Sequence, residues 1–504
     1  MLLITSAKYS SSDFTLEFGK IVPSFLPLGN KRLYEYQANL SKNAEVVLSL
    51  PKSFKPSHYD LEKLEKLNIK LIFVDENLSL GESIFYCINA LNINNKLSIL
   101  HGDTFFKKLN LKEDSLCIGD VRENYEWAYL DEEFNFANDV GGGGGGKVLT
   151  GAFCFSGAKI LAKHLLKNRY DFVKSIKSYS KEKKMWAIQN TTWLDFGLIT
   201  NYFHSKKVIS TQRSFNQIQI AKNYIIKNSS WSEKIKAEKE WFENLPPELL
   251  IYTPRYFSQK KGYALEYLCQ NTLSELFVFG NLPSFVWEKI FLSIKDFLKI
   301  CHSYKSEEKL NFNYKEKTLS RLKEFSRQRK IKLDKPFIFN HNICPSLNEL
   351  VEFTDEFLPY VKEFCLIHGD FCFSNIMYDF RSDLIKTYDP RGMDFNSKIS
   401  IFGDANYDFA KLIHSVLGLY DFIIAGFYEC KLKGYELNFK LELSDNIFKI
   451  QETFRGIFKV DKSLLALCLH LFLSMLPLHY DDEKRQNALL ANTYRIYTLL
   501  KEEQ

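Results

Sequence analysis

The sequence has no apolar run long enough to cross a membrane. Its longest apolar segment, Leu464–Leu478, contains His470 and is shorter than the roughly 20 residues that a spanning helix needs. The opening stretch, MLLITSAKYSSSD, has too brief an apolar run for a signal peptide. We therefore expect a cytoplasmic protein without membrane insertion.

The sequence also lacks paired cysteines, internal repeats and a strong excess of one charge. The 10 cysteines stand singly, with no CxxC pair, so we expect reduced thiols in the core. No repeat of roughly 20 to 50 residues is found, which argues against a solenoid. The 67 basic and 61 acidic residues give a net charge of +6 with no basic stripe. This balance indicates no nucleic-acid partner and suits small anionic substrates such as nucleotides. The oligomeric state stays open.

What the chain does have is length and aromatic side chains. A chain of 504 residues with 43 Phe and 27 Tyr needs sizeable cores, and two or three domains are expected. Residues 1–210 alternate short β-rich runs with helical patterns such as Tyr59–Leu67. This alternation predicts an α/β domain with a mostly parallel, doubly wound (Rossmann-like) sheet. The predicted strands are Leu2–Thr5, Val46–Leu50, Lys70–Val74, Leu97–Leu100, Leu116–Ile118 and Val148–Phe155.

A run of six glycines, Gly141–Gly146, precedes the last of these strands. A loop that holds phosphates needs interspersed side chains and a following helix, and neither is present. We interpret the run as a flexible surface loop.

From Thr211 the pattern changes. Two β-like runs, Gln217–Ala221 and Tyr224–Lys227, lead to a helix that begins near Ser232. After the segment GYALEYL the chain is largely helical. We predict a second domain, residues 211–504, with a β-rich lobe to about 268 and a helical lobe from 269.

The strongest motif is LIHGDFCFSNIMY (Leu366–Tyr378), which is followed by Asp389 in TYDPRG. Phosphoryl transfer from ATP needs a carboxylate near the attacking hydroxyl and oxygen ligands that hold Mg²⁺ on the phosphates. The motif puts Asp370 and Asn375 on one loop, and the apolar strand Leu384–Tyr388 brings Asp389 beside them. The alternative is unrelated polar residues on separate loops.

This pattern resembles the catalytic and metal loops of aminoglycoside phosphotransferases, choline kinases and related sugar kinases. The resemblance implies a two-lobed, protein-kinase-like fold. It makes Asp370 the catalytic base or orienting carboxylate, and Asn375 and Asp389 the magnesium ligands.

The same resemblance assigns roles upstream of the motif. Lys227 would contact the ATP phosphates, Glu238 would hold that lysine, and the connector from Glu266 to Leu268 would offer backbone groups to the adenine. No G-x-G-x-x-G precedes Lys227, and the DFG and APE segments of protein kinases are absent. The resemblance therefore implies a small alcohol, amine or sugar as substrate.

Other side chains near these motifs are predicted to be structural. His368 is expected to brace the catalytic loop. Asp404 and Asp408 in GDANYDFAKLIH are expected to cap a helix or brace a loop.

The first domain resembles sugar-phosphate nucleotidyltransferases. Four segments carry the likeness: PLGNKRLYEYQ, SLGESI, HGDTFF and TWLDFGLITNYF. The resemblance implies that Lys31 contacts a substrate phosphate and that Asp103 and Asp195 bind the catalytic Mg²⁺. SLGESI would contact the base. The alternative for the two aspartates is that they cap the helices that follow them.

One departure is clear. The family has a glycine-rich loop after its first strand, whereas this chain reads SAKYSSSDFTLEFGK there.

Together the resemblances imply a bifunctional transferase of bacterial capsule or surface-polysaccharide synthesis. It would phosphorylate a sugar, amino alcohol or polyol with ATP and Mg²⁺, then activate a phosphate monoester with CTP, UTP or dTTP. Two alternatives remain: an active kinase fused to a catalytically dead nucleotidyltransferase-like binding domain, and a regulatory pseudoenzyme that only binds nucleotides.

Overall fold

A computed structural model describes residues 1–40, 44–120, 126–130, 136–140, 147–209, 216–221, 223–229, 232–361 and 363–503. The chain divides into two compact units, Met1–Ser210 and Thr211–Gln504. The glycine run Gly141–Gly146 lies outside the described residues.

The first unit alternates strands and helices. Its strands are β1 (Leu2–Thr5), β2 (Pro27–Leu28), β3 (Lys31–Arg32), β4 (Val46–Pro51), β5 (Ile69–Val74), β6 (Leu97–His101), β7 (Thr104–Phe106), β8 (Ser115–Gly119), β9 (Glu126–Leu130), β10 (Phe136–Val140), β11 (Lys147–Phe155), β12 (Trp186–Gln189) and β13 (Trp193–Asp195). Its helices are α1 (Ser12–Phe18), α2 (Leu33–Ala38), α3 (His58–Lys66), α4 (Leu80–Ala90), α5 (Ala158–Lys167), α6 (Phe172–Glu182) and α7 (Ile199–Val208), with a 3-10 turn at Pro23–Phe25.

The central sheet of this unit is parallel-rich, with β12 also parallel to β8, but it contains antiparallel pairs as well. Its strand order is β10-β9-β11-β6-β1-β4-β5, and β8 pairs with both β11 and β12. Strands β6, β1, β4 and β5 run parallel, whereas β11 runs antiparallel to β6, β8 and β9. The predicted parallel strands are therefore confirmed, but β11 reverses direction and adds an antiparallel half.

The strand order also marks where a ligand would bind. The chain goes from β1 outward to β4 and β5 and then returns to β6 on the other side of β1. Loops that follow β1 and β6 therefore leave the sheet in opposite directions and open a crevice at its carboxyl edge. Asp103 follows β6 directly, so it lies at this edge.

The core of the unit lies between the sheet and helices α4 to α6. Strand β4 is buried along its whole length, as expected for a central parallel strand covered on both faces. The buried core includes Leu3, Val47, Ile84, Ile99 and Phe153.

The second unit begins with strands and becomes helical. Its strands are β14 (Asn216–Ala221), β15 (Tyr224–Ser229), β16 (Tyr256–Ser258), β17 (Tyr263–Glu266), β18 (Asn271–Thr272), β19 (Lys305–Ser306), β20 (Phe337–Phe339), β21 (Asn342–Cys344), β22 (Phe364–Leu366), β23 (Ile376–Asp379), β24 (Leu384–Thr387), β25 (Phe402–Gly403), β26 (Glu429–Lys433) and β27 (Glu436–Lys440). Its helices are α8 (Ser232–Glu243), α9 (Leu273–Phe279), α10 (Ser284–Ser303), α11 (Tyr314–Arg329), α12 (Leu347–Asp355), α13 (Ala405–Val416), α14 (Tyr420–Ile424), α15 (Asp445–Ile457), α16 (Lys462–Met475) and α17 (Glu483–Glu502), with 3-10 turns at Pro247–Tyr252, Phe373–Asn375 and Leu476–His479.

The strands at the start of this unit form an antiparallel sheet of order β14-β15-β17-β16. Helix α8 packs on this sheet through Ile235, Trp241 and Phe242, which contact Tyr263 and Leu265 of β17. The hairpin β23–β24 lies in the helical part and carries the Asn375 and Asp389 segments at one end.

Contrary to the expectation from the longest apolar run, the segment Lys462–His479 is long and apolar enough to cross a membrane by length and composition, but 72% of it is buried inside the fold. It contains α16, whose neighbours include α13 and α17. A buried core helix passes the same composition test, so the segment is weak evidence for a membrane span.

None of the cysteines is in a disulfide, and all but Cys269 and Cys430 are buried, so the expected core thiols are confirmed for the others.

We predict that residues 211–504 fold without the first unit, because each unit has its own apolar core. A chain that begins at Thr211 should give one cooperative calorimetric transition. Its midpoint should match a transition of the full chain within a few degrees. Residues 1–210 alone serve as the control. Insoluble or non-cooperative material from several nearby start points would contradict this expectation.

Candidate functional site

A buried lysine lies between two carboxylates in the second unit. The Lys227 ammonium donates to Glu238 at 2.9 Å and to Asp389 at 2.7 Å. The glutamate is fully buried, and the Tyr263 hydroxyl donates to its second oxygen at 2.6 Å. Three elements therefore meet at one nitrogen: β15, α8 and the loop that follows β24.

Electrostatics keep this group charged. Burial alone would lower the pKa of Lys227, but Asp389 and Glu238 outweigh burial and raise it. Burial would raise the pKa of Asp389, yet the lysine holds it below its ordinary value. Both groups are therefore ionised at neutral pH.

A glycine in the DPRG segment sets the distance between α8 and the Asp389 loop. Gly392 has φ +63°, and a Cβ there would lie 2.1 Å from the carbonyl oxygen of Ala237. Ala237 precedes Glu238 on α8. Only a residue without a side chain lets the loop come close enough to bring Asp389 onto Lys227.

A third carboxylate of the site is Asp370. Its Oδ1 accepts from the Lys411 ammonium at 2.8 Å, and its Oδ2 accepts from the Asn375 amide at 3.0 Å. Burial would raise the pKa of Asp370, but Lys411 outweighs burial and holds it well below its usual range. The side chain is 41% exposed, so a substrate hydroxyl can reach it.

The Asp408 carboxylate holds the loop that carries Asp370 in place. This carboxylate accepts the backbone N–H groups of His368 and Gly369, both at 2.8 Å, and burial raises its pKa to about 7. His368 is fully buried and contacts the Tyr388 carbonyl oxygen through Nε2 at 3.1 Å. Asp404 caps α13. The predicted bracing and capping roles of these residues are confirmed.

The hairpin brings the two predicted magnesium ligands to the same end. The backbone N–H of Tyr388 donates to the Asn375 carbonyl at 3.1 Å, so Asp389 follows immediately beside that residue. Carboxylate and amide oxygens are the ligands that Mg²⁺ prefers. The residues present therefore fit a magnesium ion.

The residues predicted to contact adenine lie at the end of β17 and just after it. Glu266 ends β17, and its backbone N–H donates to the Arg255 carbonyl oxygen at 2.9 Å. Leu268 follows two residues later, before β18, and is half-buried.

In the first unit, two aspartates converge. Asp195 of β13 pairs in register with Thr104 of β7, which puts it next to Asp103. A Cβ at Gly197 would lie 3.0 Å from Oδ2 of Asp103 and 3.3 Å from Oδ1 of Asp195. Both carboxylates therefore point at the same glycine.

A network of hydrogen bonds fixes the turn that carries Asp103. The buried Gln37 amide donates to the carbonyl oxygens of Gly102 and Thr104, both at 2.9 Å. Asn201 donates to Asp195 from the first turn of α7. Neither amide was predicted from the sequence, because nothing in their spacing marks them as partners of residues far along the chain.

The two carboxylates repel each other. Burial, with the neighbouring Asp103 charge, raises the pKa of Asp195 to about 6. The two aspartates line a cavity of about 140 Å³. Two buried polar atoms of its lining, Nε2 of His101 and Oγ1 of Thr150, have no hydrogen-bond partner among the described residues. Two carboxylates this close together fit a divalent cation, which would offset their repulsion.

Lys31 lies apart from the residues that line this cavity. It is exposed on the β2–β3 hairpin, with its ammonium 5.9 Å from the centre of the Tyr36 ring. That ring contacts Phe105 of β7. The buried cation of the segment is its neighbour Arg32, which pairs with Asp60 at 3.1 Å and has a structural role.

The SLGESI segment forms the start of α4. Ser79 caps the helix and forms a capping box with Glu82, and a Cβ at Gly81 would lie 1.9 Å from the Tyr170 carbonyl oxygen. These contacts explain why serine, glycine and glutamate occur at these three positions. Base contact by this segment stays a prediction.

No family model matches the sequence, and a comparison with curated proteins gives no match. Solved structures that are similar over the N-terminal ~40% of the chain are nucleotidyltransferases. One is CTP:phosphocholine cytidylyltransferase from Streptococcus pneumoniae, with 13% identity and TM-score 0.34, covering 42% of this chain and 98% of that one.

Two others are similar over the same share of the chain. A nucleoside-diphosphate-sugar pyrophosphorylase from Vibrio cholerae has 12% identity and TM-score 0.34, over 41% of this chain and 100% of its own. HddC from Yersinia pseudotuberculosis has 19% identity and TM-score 0.32, over 42% and 99%. Likeness at these values assigns neither activity nor substrate to this chain.

We predict that Gly392→Ala destabilises the fold, because its Cβ would push the Asp389 loop off α8. The matched control is Gly434→Ala, where φ is +61° but no atom lies within 4 Å of the new Cβ. Both substitutions have the same backbone cost. Urea unfolding should therefore show Gly392→Ala less stable than Gly434→Ala by about 1–3 kcal/mol. Equal losses would contradict the close approach.

Proposed function

We propose that the second unit is an ATP-dependent kinase for a small hydroxyl-bearing substrate. The observation that carries this proposal is the meeting of Lys227, Glu238 and Asp389 at one end of the hairpin that also bears Asn375. A fixed cation for phosphates, beside oxygen ligands for a metal, is what phosphoryl transfer requires.

The residues have distinct tasks in this reaction. Lys227 contacts the phosphates of ATP and is held in place by Glu238. Asp389 and Asn375 hold Mg²⁺, which when bound neutralises charge that develops on the phosphates. The acceptor hydroxyl attacks the γ-phosphorus, the bond to the β–γ bridging oxygen breaks, and ADP leaves. Asp370 orients the hydroxyl and takes its proton.

The lowered pKa of Asp370 bears on its role. A carboxylate with such a low pKa is a weak base, so its main task is to position the hydroxyl, and it accepts the proton late in the reaction. Lys411, which lies three residues after Asp408 on α13, donates to one carboxylate oxygen of Asp370. The Asn375 amide donates to the other.

We further propose that the first unit transfers a nucleotidyl group. The observation that favours this second function is the convergence of Asp103 and Asp195 at the carboxyl edge of the sheet. Two neighbouring carboxylates in the lining of one cavity suit a metal that would bind a nucleoside triphosphate. CTP, UTP and dTTP are the candidate substrates.

The two activities form a sequence of reactions. The kinase makes a phosphate monoester, and nucleotidyl transfer consumes a phosphate monoester and releases pyrophosphate. A role in capsule or surface-polysaccharide synthesis is part of the proposal. The loop after β1 has no glycine cluster, which supports the alternative that the first unit only binds nucleotide.

We predict that Asp370→Asn lowers phosphoryl transfer by about 10²–10⁴-fold and leaves ATP affinity almost unchanged, because this carboxylate acts on the acceptor. ADP release and calorimetric ATP titration measure the two effects. The matched control is Asp383→Asn at the opposite end of the same hairpin, where the side chain is 57% exposed. Near-normal turnover by Asp370→Asn would refute the role assigned to this residue.

For the first unit, we predict that Asp103→Asn and Asp195→Asn each lower pyrophosphate release by at least about 100-fold. ADP release by the second unit should stay unchanged. Asp75→Asn is the control, because Asp75 also follows a parallel strand of this sheet, β5, but is exposed. No pyrophosphate from the unsubstituted chain with any common nucleoside triphosphate, supplied with the kinase product, would leave a kinase with a binding domain.

A further inference from the structure

Two cations lie close to Lys411, the partner of Asp370, and among the described residues neither forms an ion pair with a carboxylate. They are Lys317 of α11 and Arg391 of the DPRG segment, and both are half-buried. Arg391 runs alongside the catalytic loop, since its backbone N–H donates to the His368 carbonyl oxygen at 2.9 Å. Its Cβ would lie 2.7 Å from a Cβ at Gly369, which places Arg391 next to Asp370. Lys317 reaches the same region through Tyr407, whose ring lies 5.3 Å from Lys317 and 5.8 Å from Lys411, the partner of Asp370.

Aromatic rings support both cations. The Lys317 ammonium lies 3.7 Å from the centre of the Phe395 ring and 5.3 Å from that of Tyr407. The Arg391 guanidinium lies 5.2 Å from the Phe395 ring. Such faces hold a cation in place but do not neutralise it.

The carboxylates nearby are already occupied. Asp394 accepts the backbone N–H groups of residues 311, 396 and 398. Asp404 accepts from Tyr314 and Asn406, and Asp408 holds the catalytic loop. Among the described residues, no ion pair joins a carboxylate to Lys317 or Arg391.

The charge of this region is therefore positive. Lys411, which pairs with Asp370, lies 5.8 Å from the Tyr407 ring as well. Three cations thus cluster near Tyr407 and Asp370, whereas Asp389, the other partly exposed carboxylate nearby, is paired with Lys227. The Lys317 ammonium donates to the Tyr407 hydroxyl at 3.3 Å. Burial and the neighbouring cations outweigh that contact and lower the pKa of Lys317 to about 8.

We propose that Lys317 and Arg391 bind an anionic group of the acceptor, so that the kinase substrate is a hydroxylated anion. The inference rests on the proposed kinase function and narrows its substrate class. A phosphate or a carboxylate on a sugar or polyol fits these cations. A cationic amino alcohol such as choline does not, because two uncompensated positive charges repel it.

The direct test is phosphate binding by the full chain. With Mg²⁺ and a non-hydrolysable ATP analogue bound, inorganic phosphate is titrated by calorimetry. We expect Lys317→Met to weaken phosphate binding by about 10- to 100-fold. Lys317→Arg keeps the charge and should retain the affinity within about threefold. The matched control is Lys323→Met, because Lys323 is an exposed lysine on the same helix. This variant should also retain the phosphate affinity within about threefold.

Three results would overturn the proposal. The first is that Lys317→Met does not change phosphate binding, and the second is that the unsubstituted chain binds no phosphate. The third is that the chain binds phosphate without the ATP analogue but not with it. The last result would assign the cations to the γ-phosphate of ATP. Failure of the analogue itself to bind with Mg²⁺ would instead count against the proposed kinase function, and phosphate would then be titrated without it.

Turnover separates the two kinds of anion. ADP release is compared for glucose, glucose 6-phosphate and glucuronate, for glycerol, glycerol 3-phosphate and glycerate, and for choline. We expect a charged member to exceed its neutral parent in kcat/KM by at least about tenfold, and Lys317→Met to raise its KM while kcat is retained. Preference for choline or for the neutral parents would contradict the proposal.

Discussion

The buried Lys227 ammonium is the interaction on which the second unit depends. It joins the antiparallel sheet, α8 and the loop after β24 through Glu238 and Asp389, at 2.9 and 2.7 Å. Removing one member of such a buried set leaves an uncompensated charge, which costs about 3–5 kcal/mol. The same geometry that holds these elements together also fixes a cation and a carboxylate where ATP phosphates and Mg²⁺ would bind. The residues that stabilise this unit are therefore also the ones that the proposed reaction requires.

The first unit is organised by a different constraint. Its parallel strands reverse their order between β1 and β6, and Asp103 stands at that reversal. The small β7–β13 sheet then brings Asp195 beside it, although 92 residues separate the two in sequence. Two carboxylates held together by Gln37, Asn201 and the backbone are unfavourable as an isolated pair. A bound cation would remove the repulsion, so the site is suited to a metal rather than to a purely structural role.

Much of the fold follows from the sequence because its signals are local. Apolar runs such as Val46–Leu50 predict buried strands, and the structure extends this one only to Pro51. The direction of β11 could not be predicted, since an apolar run looks the same in either direction. In the site, the HGD-x-x-x-x-N spacing fixes Asp370 and Asn375 on one short loop. The roles of Lys411, Lys317 and Gln37 depend on contacts between distant segments, and no local pattern marks such residues among many similar ones.

We propose that the second unit moves the γ-phosphate of ATP to a small hydroxyl compound. To test this, the full chain is given ATP labelled at the γ-phosphate, with Mg²⁺ and a mixture of sugars, polyols, their phosphates and their acids. We expect label in a new phosphate monoester, formed in step with ADP and only when Mg²⁺ is present. Label that stays in ATP, or appears only as inorganic phosphate with every acceptor, would contradict it.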